Sequence, residues 1–172
     1  MRTLVIGDIH GGLRGLDQAL GKLEMTKDDR FIFVGDYVDG WSDNAETIAY
    51  LIDFSQRYEC VFIRGNHDEL LYNFLKNGDT NPMWLNHGGE SSRASYAKFS
   101  SEEKERHIHW LENLMNYYVD EDNRLYLHAG FTSQHGPQHE YYPNMVYWDR
   151  TLWEMVCALD PDISKEDDTY PK

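Results

Sequence analysis

Three times in its first half the chain runs from a short apolar stretch into a glycine-marked turn and then into residues spaced like a helix. Residues 3–6 end at Gly7, residues 31–34 at Gly35, and residues 60–63 just before Gly65. Leu13, Leu16, Leu20 and Leu23 follow the first turn. Residues 44–56, with Ile48, Leu51 and Ile52, follow the second, and Asp43 or Asn44 suits an N-cap there. Residues 69–76, with Leu70, Leu71, Phe74 and Leu75, follow the third. This β-α-β-α-β-α order predicts an α/β fold with a parallel or mixed sheet and crossover helices. Ligands of open α/β sheets collect beyond the carboxyl ends of strands. Three turns far apart in sequence are therefore expected to converge.

The second half has another character. Residues 81–96, rich in Gly, Ser, Asn and Trp, read as an insert with short helices. Ser100 and Glu103 suit a capping box for a helix reaching about Leu114. Residues 117–120 and 124–128 form a predicted hairpin across Glu121-Asp122-Asn123. A loop follows Phe131, then a helix over 151–159, then an acidic, mobile stretch over 160–172.

Bulk properties narrow the partners. A chain of 172 residues fits one domain, with a core that needs no disulfide. Lys+Arg is 16 and Asp+Glu is 30, a net charge of −14, which argues against a nucleic-acid backbone as partner. It leaves room for a phosphorylated substrate, because bound cations reverse the local field. Cys60 and Cys157 form no motif, which fits a reducing compartment. No basic-then-apolar leader opens the chain, and no apolar stretch is long enough for a bilayer. A soluble, cytoplasmic protein with no membrane partner is expected. Nothing in the sequence bears on an oligomeric state.

The chemistry sits in the turns. Gly7-Asp8-Ile9-His10-Gly11, Gly35-Asp36-Tyr37-Val38-Asp39 and Gly65-Asn66-His67-Asp68 carry carboxylate, imidazole and amide groups, and His128-Ala129-Gly130 follows a further apolar run. Such donors suit a pair of divalent ions. Asp8 and His10, two apart, can face one ion. Asp36 can bridge two ions with its two oxygens, and Asn66 and His128 can serve the second. A hydroxide held between the ions would attack phosphorus in line. His67 is not needed as a ligand, so it is the candidate acid for the leaving oxygen, with Asp39 holding its ring. Arg64 is a candidate phosphate contact. His107, His109, His135 and His139 read as solvated, and Trp110, Tyr117 and Tyr118 as core.

These strings resemble the metallophosphoesterase superfamily and, within it, the phosphoprotein phosphatase branch, whose motifs are GDxHG, GDxVDRG and RGNHE. The tract Trp84-Leu85-Asn86-His87-Gly88-Gly89, running to Ser95-Tyr96, is similar to one in bacterial and phage-type members. His128-Ala129-Gly130-Phe131 is similar to their HAG motif, and Trp148-Asp149-Arg150 to a W-x-R element with a phosphate-contacting arginine. The resemblance covers residues 3 to about 150. It implies a four-layer α/β/β/α sandwich and an Mn, Fe or Zn pair, with Mn favoured. Asp8, His10 and Asp36 resemble the first metal's ligands; Asp36, Asn66 and His128 resemble three of the second's; His67 with Asp39 resembles the acid dyad. His87 and Arg150 join Arg64 as substrate-binding candidates.

Three departures stand out. Gly40-Trp41 follows Asp39 where the branch has arginine, so Arg64, Arg93 or Arg150 has to supply that contact or it is lost. Asp68 replaces the usual Glu. No late GHT-like histidine follows. The expectation is a single domain over 1–172, shortened at its C-terminus, with water, His135 or His139 as the other ways to complete the second ion.

The activity implied is metal-dependent hydrolysis of phosphate monoesters on a protein or a small molecule, most like Ser/Thr phosphatases. A symmetrical dinucleoside polyphosphate hydrolase is the alternative, with Trp41, Trp84 or Tyr96 as base-stacking groups. A non-catalytic metal- or phosphate-binding module is the third reading.

Overall fold

The computed structural model describes residues 2–158 and residue 162. Strands β1 (Thr3–Ile6), β2 (Arg30–Phe33) and β3 (Glu59–Phe62) lie side by side in that order, all parallel, with Val5 opposite Ile32 and Ile32 opposite Val61. The central strand is apolar on both faces, as burial from both sides requires, and Phe31, Ile32 and Phe33 are sealed from solvent. On the outer strand β1, Val5 is exposed. Met115 extends the sheet past β3: its N–H donates to the Phe62 carbonyl, and its carbonyl accepts from the Arg64 N–H.

The crossovers are the predicted helices α1 (Leu13–Gly21) and α2 (Asn44–Phe54). Leu16 and Leu20 of α1 and Ile48, Leu51 and Phe54 of α2 enter the core, where Phe31 meets Phe54 edge-on at 4.9 Å. Helix α3 spans Asn66–Asn77 and so starts three residues before the predicted 69. Asp68 explains the early start, since its carboxylate accepts the Gly65 N–H at 2.8 Å and caps the first turn. Two site candidates, Asn66 and His67, are therefore rigid helical residues.

The insert folds as α4 (Pro82–Trp84), a kinked turn at Leu85–Gly89 and α5 (Glu90–Tyr96), which packs on α2. Helix α6 (Ser101–Glu112) opens with the predicted box: the Ser100 hydroxyl accepts the Glu103 N–H and the Glu103 carboxylate accepts the Ser100 N–H. It packs on α3. Strands β4 (Tyr117–Val119) and β5 (Leu125–Leu127) pair antiparallel around a turn in which Asp120 accepts the N–H groups of Asp122 and Arg124. Arg30 ties this hairpin to β2 through Glu121 at 2.8 Å. Two short 3-10 turns, Pro137–His139 and Pro143–Tyr147, lead to α7 (Thr151–Ala158). The expectation for 160–172 lies outside the described residues apart from Asp162. The whole is a mixed α/β fold with two sheets, of three and two strands among the described residues.

One surface assignment is corrected. His109 is exposed, but His107 is buried at 2% exposure, because its face of α6 meets α5. There the Tyr96 hydroxyl bonds to Nδ1 at 2.9 Å. Trp110 joins the core edge-on to Tyr37 and Phe62.

Candidate active site

The strand exits are stitched together by the backbone. The Ile9 and His10 N–H groups both donate to the Asp36 carbonyl at 2.9 Å, and the Gly11 N–H donates to Tyr37. Within this weave His10, Asp36 and Asp39 hold positive φ of 50°, 53° and 66°. Non-glycine residues adopt that region at a cost on the order of 1–3 kcal/mol each, and only when their surroundings enforce it. Gly65 permits the closest approach: a Cβ at that position would collide with the Asp36 carboxylate and backbone nitrogen. Asp68 sits beneath, fully buried, accepting the N–H groups of Asp36, Tyr37 and Gly65 at 2.8–2.9 Å. Burial and the charge of Asp36 push its pKa up, against the pull of those three donors. One carboxylate thus fixes the ends of β2 and β3 relative to each other.

Asp8, His10 and Asp36 bring one donor atom each within 4.8 Å of one another. His10 Nε2 is 3.9 Å from Asp8 Oδ2 and 3.7 Å from Asp36 Oδ2. Ligands at about 2.1 Å from one ion can be at most about 4.2 Å apart, so both of these imidazole–carboxylate distances suit a shared cation. On the other side, His128 Nε2 is 3.4 Å from Asp36 Oδ2 and 3.2 Å from Asn66 Oδ1. Both rings present the right nitrogen. Nδ1 of His10 bonds to the Val38 carbonyl and Nδ1 of His128 to the Val34 carbonyl, each at 2.9 Å. A carbonyl only accepts, so Nδ1 carries the hydrogen and Nε2 is the nitrogen turned toward the carboxylates, where a cation can be ligated. Asp36 differs from expectation in one respect. A single oxygen, Oδ2, faces both imidazoles, because Oδ1 is taken by the His67 N–H at 3.0 Å.

His67 lies beside this cluster, its ring edge-on to that of His10 at 5.1 Å. Its Nδ1 is 2.9 Å from Asp39 Oδ2. Burial alone would lower the His67 pKa, but the Asp39 hydrogen bond and the charges of Asp36, Asp39 and Asp68 outweigh it and raise the value above 6.5. Asp39 itself is held from three segments. Trp84 Nε1 donates to Oδ2 at 2.6 Å, the Ser92 hydroxyl to Oδ1 at 2.5 Å, and the Asp39 N–H donates to Asn44 Oδ1 at 2.8 Å. Trp84, Ser92, Asn44 and Asp68 escaped the sequence reading as site-building residues. The tract carrying Trp84 was visible as a motif, but no spacing shows an indole aimed at residue 39.

A cleft of about 570 Å³ opens over Asp8, His10, Asp36, Asn66, His67 and His128, and Arg150 is on its wall with Trp148 and Trp153. Two candidates lie elsewhere. Arg64 is buried, with its guanidinium on Glu69 at 2.6 Å and the Leu111 carbonyl at 2.8 Å. His87 is exposed and bonded to the Met83 carbonyl, away from the cleft. Arg93 pairs with Glu90. His135 and His139 are exposed and face each other at 6.0 Å, outside the cleft. Of the three proposed stacking groups, Trp84 and Tyr96 are buried in the core and Trp41 is 72% exposed.

The sequence profile of the calcineurin-like phosphoesterases matches residues 1–163. The asymmetrical bis(5'-nucleosyl)-tetraphosphatase PrpE of Oceanobacillus iheyensis is 29% identical over 139 residues, which are 74% of this chain and 52% of that protein. The serine/threonine-protein phosphatase PP1-delta of Caenorhabditis elegans is 40% identical over 67 residues, 38% of this chain and 22% of that one. The chain thus spans about half, or less, of the length of these relatives. A crystal structure of a metallophosphoesterase from Sphaerobacter thermophilus shares the fold, with a TM-score of 0.52 at 24% identity, over 83% of this chain and 50% of that chain.

Proposed function

This chain belongs to the calcineurin-like phosphoesterase family, and from that premise we propose that it hydrolyses phosphate monoesters with two divalent ions, acting as one domain over residues 1–172. The observation that carries the reading is the gathering of five donor groups and a carboxylate-held imidazole in one cleft. Asp8, His10 and Asp36 would hold one ion, and Asp36, Asn66 and His128 the other, with Mn favoured over Fe or Zn. Bound there, the ions supply Lewis-acid polarisation of the phosphoryl group and acidify water. His67 delivers a proton from Nε2 to the departing oxygen, while Asp39 fixes the ring and stabilises its charged form. Arg150 contacts the phosphoryl oxygens from the cleft wall. Among the described residues no helix is long and apolar enough to cross a membrane. Phosphorylated proteins or small phosphoesters, met in the cytoplasm, are the substrates in this reading. An Mn²⁺ titration of aryl-phosphate hydrolysis tests it. Saturable turnover is expected. A folded chain that binds Mn²⁺ and turns nothing over overturns hydrolysis by these 172 residues alone.

A second reading, dinucleoside polyphosphate hydrolysis, draws support from the larger share of this chain that aligns with PrpE than with PP1-delta. Comparing diadenosine tetraphosphate with a phosphopeptide as substrates separates the two.

A further inference from the structure

Trp148, Asp149 and Arg150 follow one another along the wall of the metal cleft, and of the three only Asp149 is buried. Asp149 is the nearest carboxylate to Arg150 in sequence, yet both of its oxygens are used elsewhere. Oδ1 accepts the Thr151 hydroxyl at 2.6 Å, and Oδ2 accepts the Thr151 N–H at 3.0 Å. The Arg150 carbonyl in turn accepts the Glu154 N–H at 2.8 Å, the bond that opens α7. The peptide that leaves Arg150 is therefore pinned at both ends, its oxygen by the helix and its N–H by Asp149. Arg2, Arg30, Arg64, Arg93, Arg106 and Arg124 each pair with a carboxylate. Among the described residues Arg150 pairs with none, so its guanidinium is available to an incoming anion.

Asp149 also reaches the exit of β5. A Cβ on Gly130 would stand 2.8 Å from Asp149 Oδ2, 3.2 Å from the Asp149 carbonyl oxygen and 3.2 Å from Leu152 Cβ. Gly130 does not hold a positive φ, so what its missing side chain provides is this close approach. Next to it, the Ala129 N–H donates to the Val146 carbonyl at 3.0 Å, and the Asp149 N–H donates to the Met145 carbonyl at 2.7 Å. The segment that leaves His128 and the segment that carries Arg150 are thus joined along one seam, and the Asp149 carboxylate lies in it.

We propose that Asp149 is a positioning residue for Arg150. Its carboxylate, seated between Thr151 and Gly130, fixes the backbone from which the guanidinium enters the cleft and, being engaged by Thr151, leaves that guanidinium for the substrate phosphate. Part of the cost of ordering a long side chain on binding is then met before the anion arrives. The proposal rests on the phosphoesterase reading, in which Arg150 meets the phosphoryl oxygens.

The test is a double-mutant cycle, read by calorimetric titration of the full, Mn²⁺-loaded chain with inorganic phosphate. Arg150→Ala is expected to weaken phosphate at least about tenfold, the scale of a lost charged contact. Asp149→Ala keeps the guanidinium and is expected to weaken phosphate about fivefold, as part of that same contact. Asp149→Asn should keep most of the affinity, because its amide oxygen can still accept the Thr151 N–H while its amide nitrogen donates to the Thr151 hydroxyl. Gly130→Ala crowds the carboxylate from the other side and should act like Asp149→Ala. Combining Asp149→Ala with Arg150→Ala should leave an affinity within about twofold of Arg150→Ala alone, since both changes act through one guanidinium. Mn²⁺ affinity, titrated separately, should be alike in all these variants. Additive losses in the double variant overturn the proposal. So does a phosphate affinity blind to Asp149→Ala, or a loss that falls on Mn²⁺, which would make Asp149 a support for His128. If Asp149→Ala does not fold, Gly130→Ala combined with Arg150→Ala carries the same cycle. The two readings fail separately: absent aryl-phosphate turnover with phosphate binding that follows the cycle removes the hydrolase and keeps Asp149 in its role. Turnover with an additive cycle does the reverse.

Discussion

The His67 imidazole is bonded through Nδ1 to a carboxylate, Asp39, whose side chain has no contact with solvent, while the ring itself keeps 18% exposure toward the cleft. A fully buried carboxylate behind a partly open ring fixes which nitrogen faces the cleft. It also makes the ring easier to protonate than a free histidine.

Replacing that ring exposes its role. His67→Asn is expected to lower kcat for alkyl phosphates by about 10²–10⁴-fold, the scale of a lost general acid. Aryl phosphates with good leaving groups should lose much less, because their oxygen departs without a proton. A series of leaving groups of graded pKa checks this. A uniform loss across the series removes His67 from the acid role.

Asp36 Oδ2 is the atom common to both imidazoles. Asp36→Asn should therefore weaken both ions together, whereas Asp8→Asn should weaken mainly one. Isothermal titration with Mn²⁺ reads this directly. Two intact binding events in the Asp36 variant would refute the shared-ligand assignment.

Trp84 serves Asp39 through a single N–H bond at 2.6 Å. Trp84→Phe keeps most of the buried ring and deletes the donor. A loss of about 1–3 kcal/mol in urea unfolding is expected, the size of a lost hydrogen bond to a buried charged group. A fall in kcat smaller than that of His67→Asn should accompany it. Unchanged kcat would mean that His67 and the remaining donors hold Asp39 by themselves.

His107 gives stability a pH dependence far from the cleft. Burial, with the neighbouring Arg106 charge, lowers its pKa from 6.5 to about 4. Above pH 6.5 it is neutral folded or unfolded and has no effect. As pH falls from 6.5 toward 4, the unfolded chain takes up a proton that the folded chain refuses, so the fold is progressively destabilised. The urea midpoint of the parent should drop over that window more than the midpoint of His107→Gln. Parallel curves would show that the ring does not titrate differently in the two states.

The first half was legible because its signals are local. Apolar runs ending at Gly7 and Gly35 mark strand ends, and a parallel sheet brings such ends together whatever lies between them. Asn66 and His67 were placed before the helix because Asn, His and Asp are weak helix formers, and the cap that admits them is the side chain of Asp68 reaching back to Gly65. Arg64 shows the limit of adjacency: one residue from Gly65 in sequence, its guanidinium runs the other way, to Glu69 and Leu111. His107 was hidden by the charged residues around it on α6, since its burial depends on Tyr96 in another helix. Trp84 and Ser92, two of the partners of Asp39, come from the insert over 81–96, and nothing in its own composition reports where it docks.

That docking ties chemistry to one small piece of the chain. Two of the donors on the Asp39 carboxylate, Trp84 and Ser92, belong to residues 81–96, and the kink at Gly88 rests on the backbone of Asp39 and Gly40. Segments of this size open on their own well before a whole domain unfolds. When this one lifts, the imidazole loses its orientation although the parallel sheet and its helices persist. Heat should therefore silence the protein several degrees below the temperature at which its helical circular dichroism disappears, and cooling from that interval should restore activity as fast as the segment closes again.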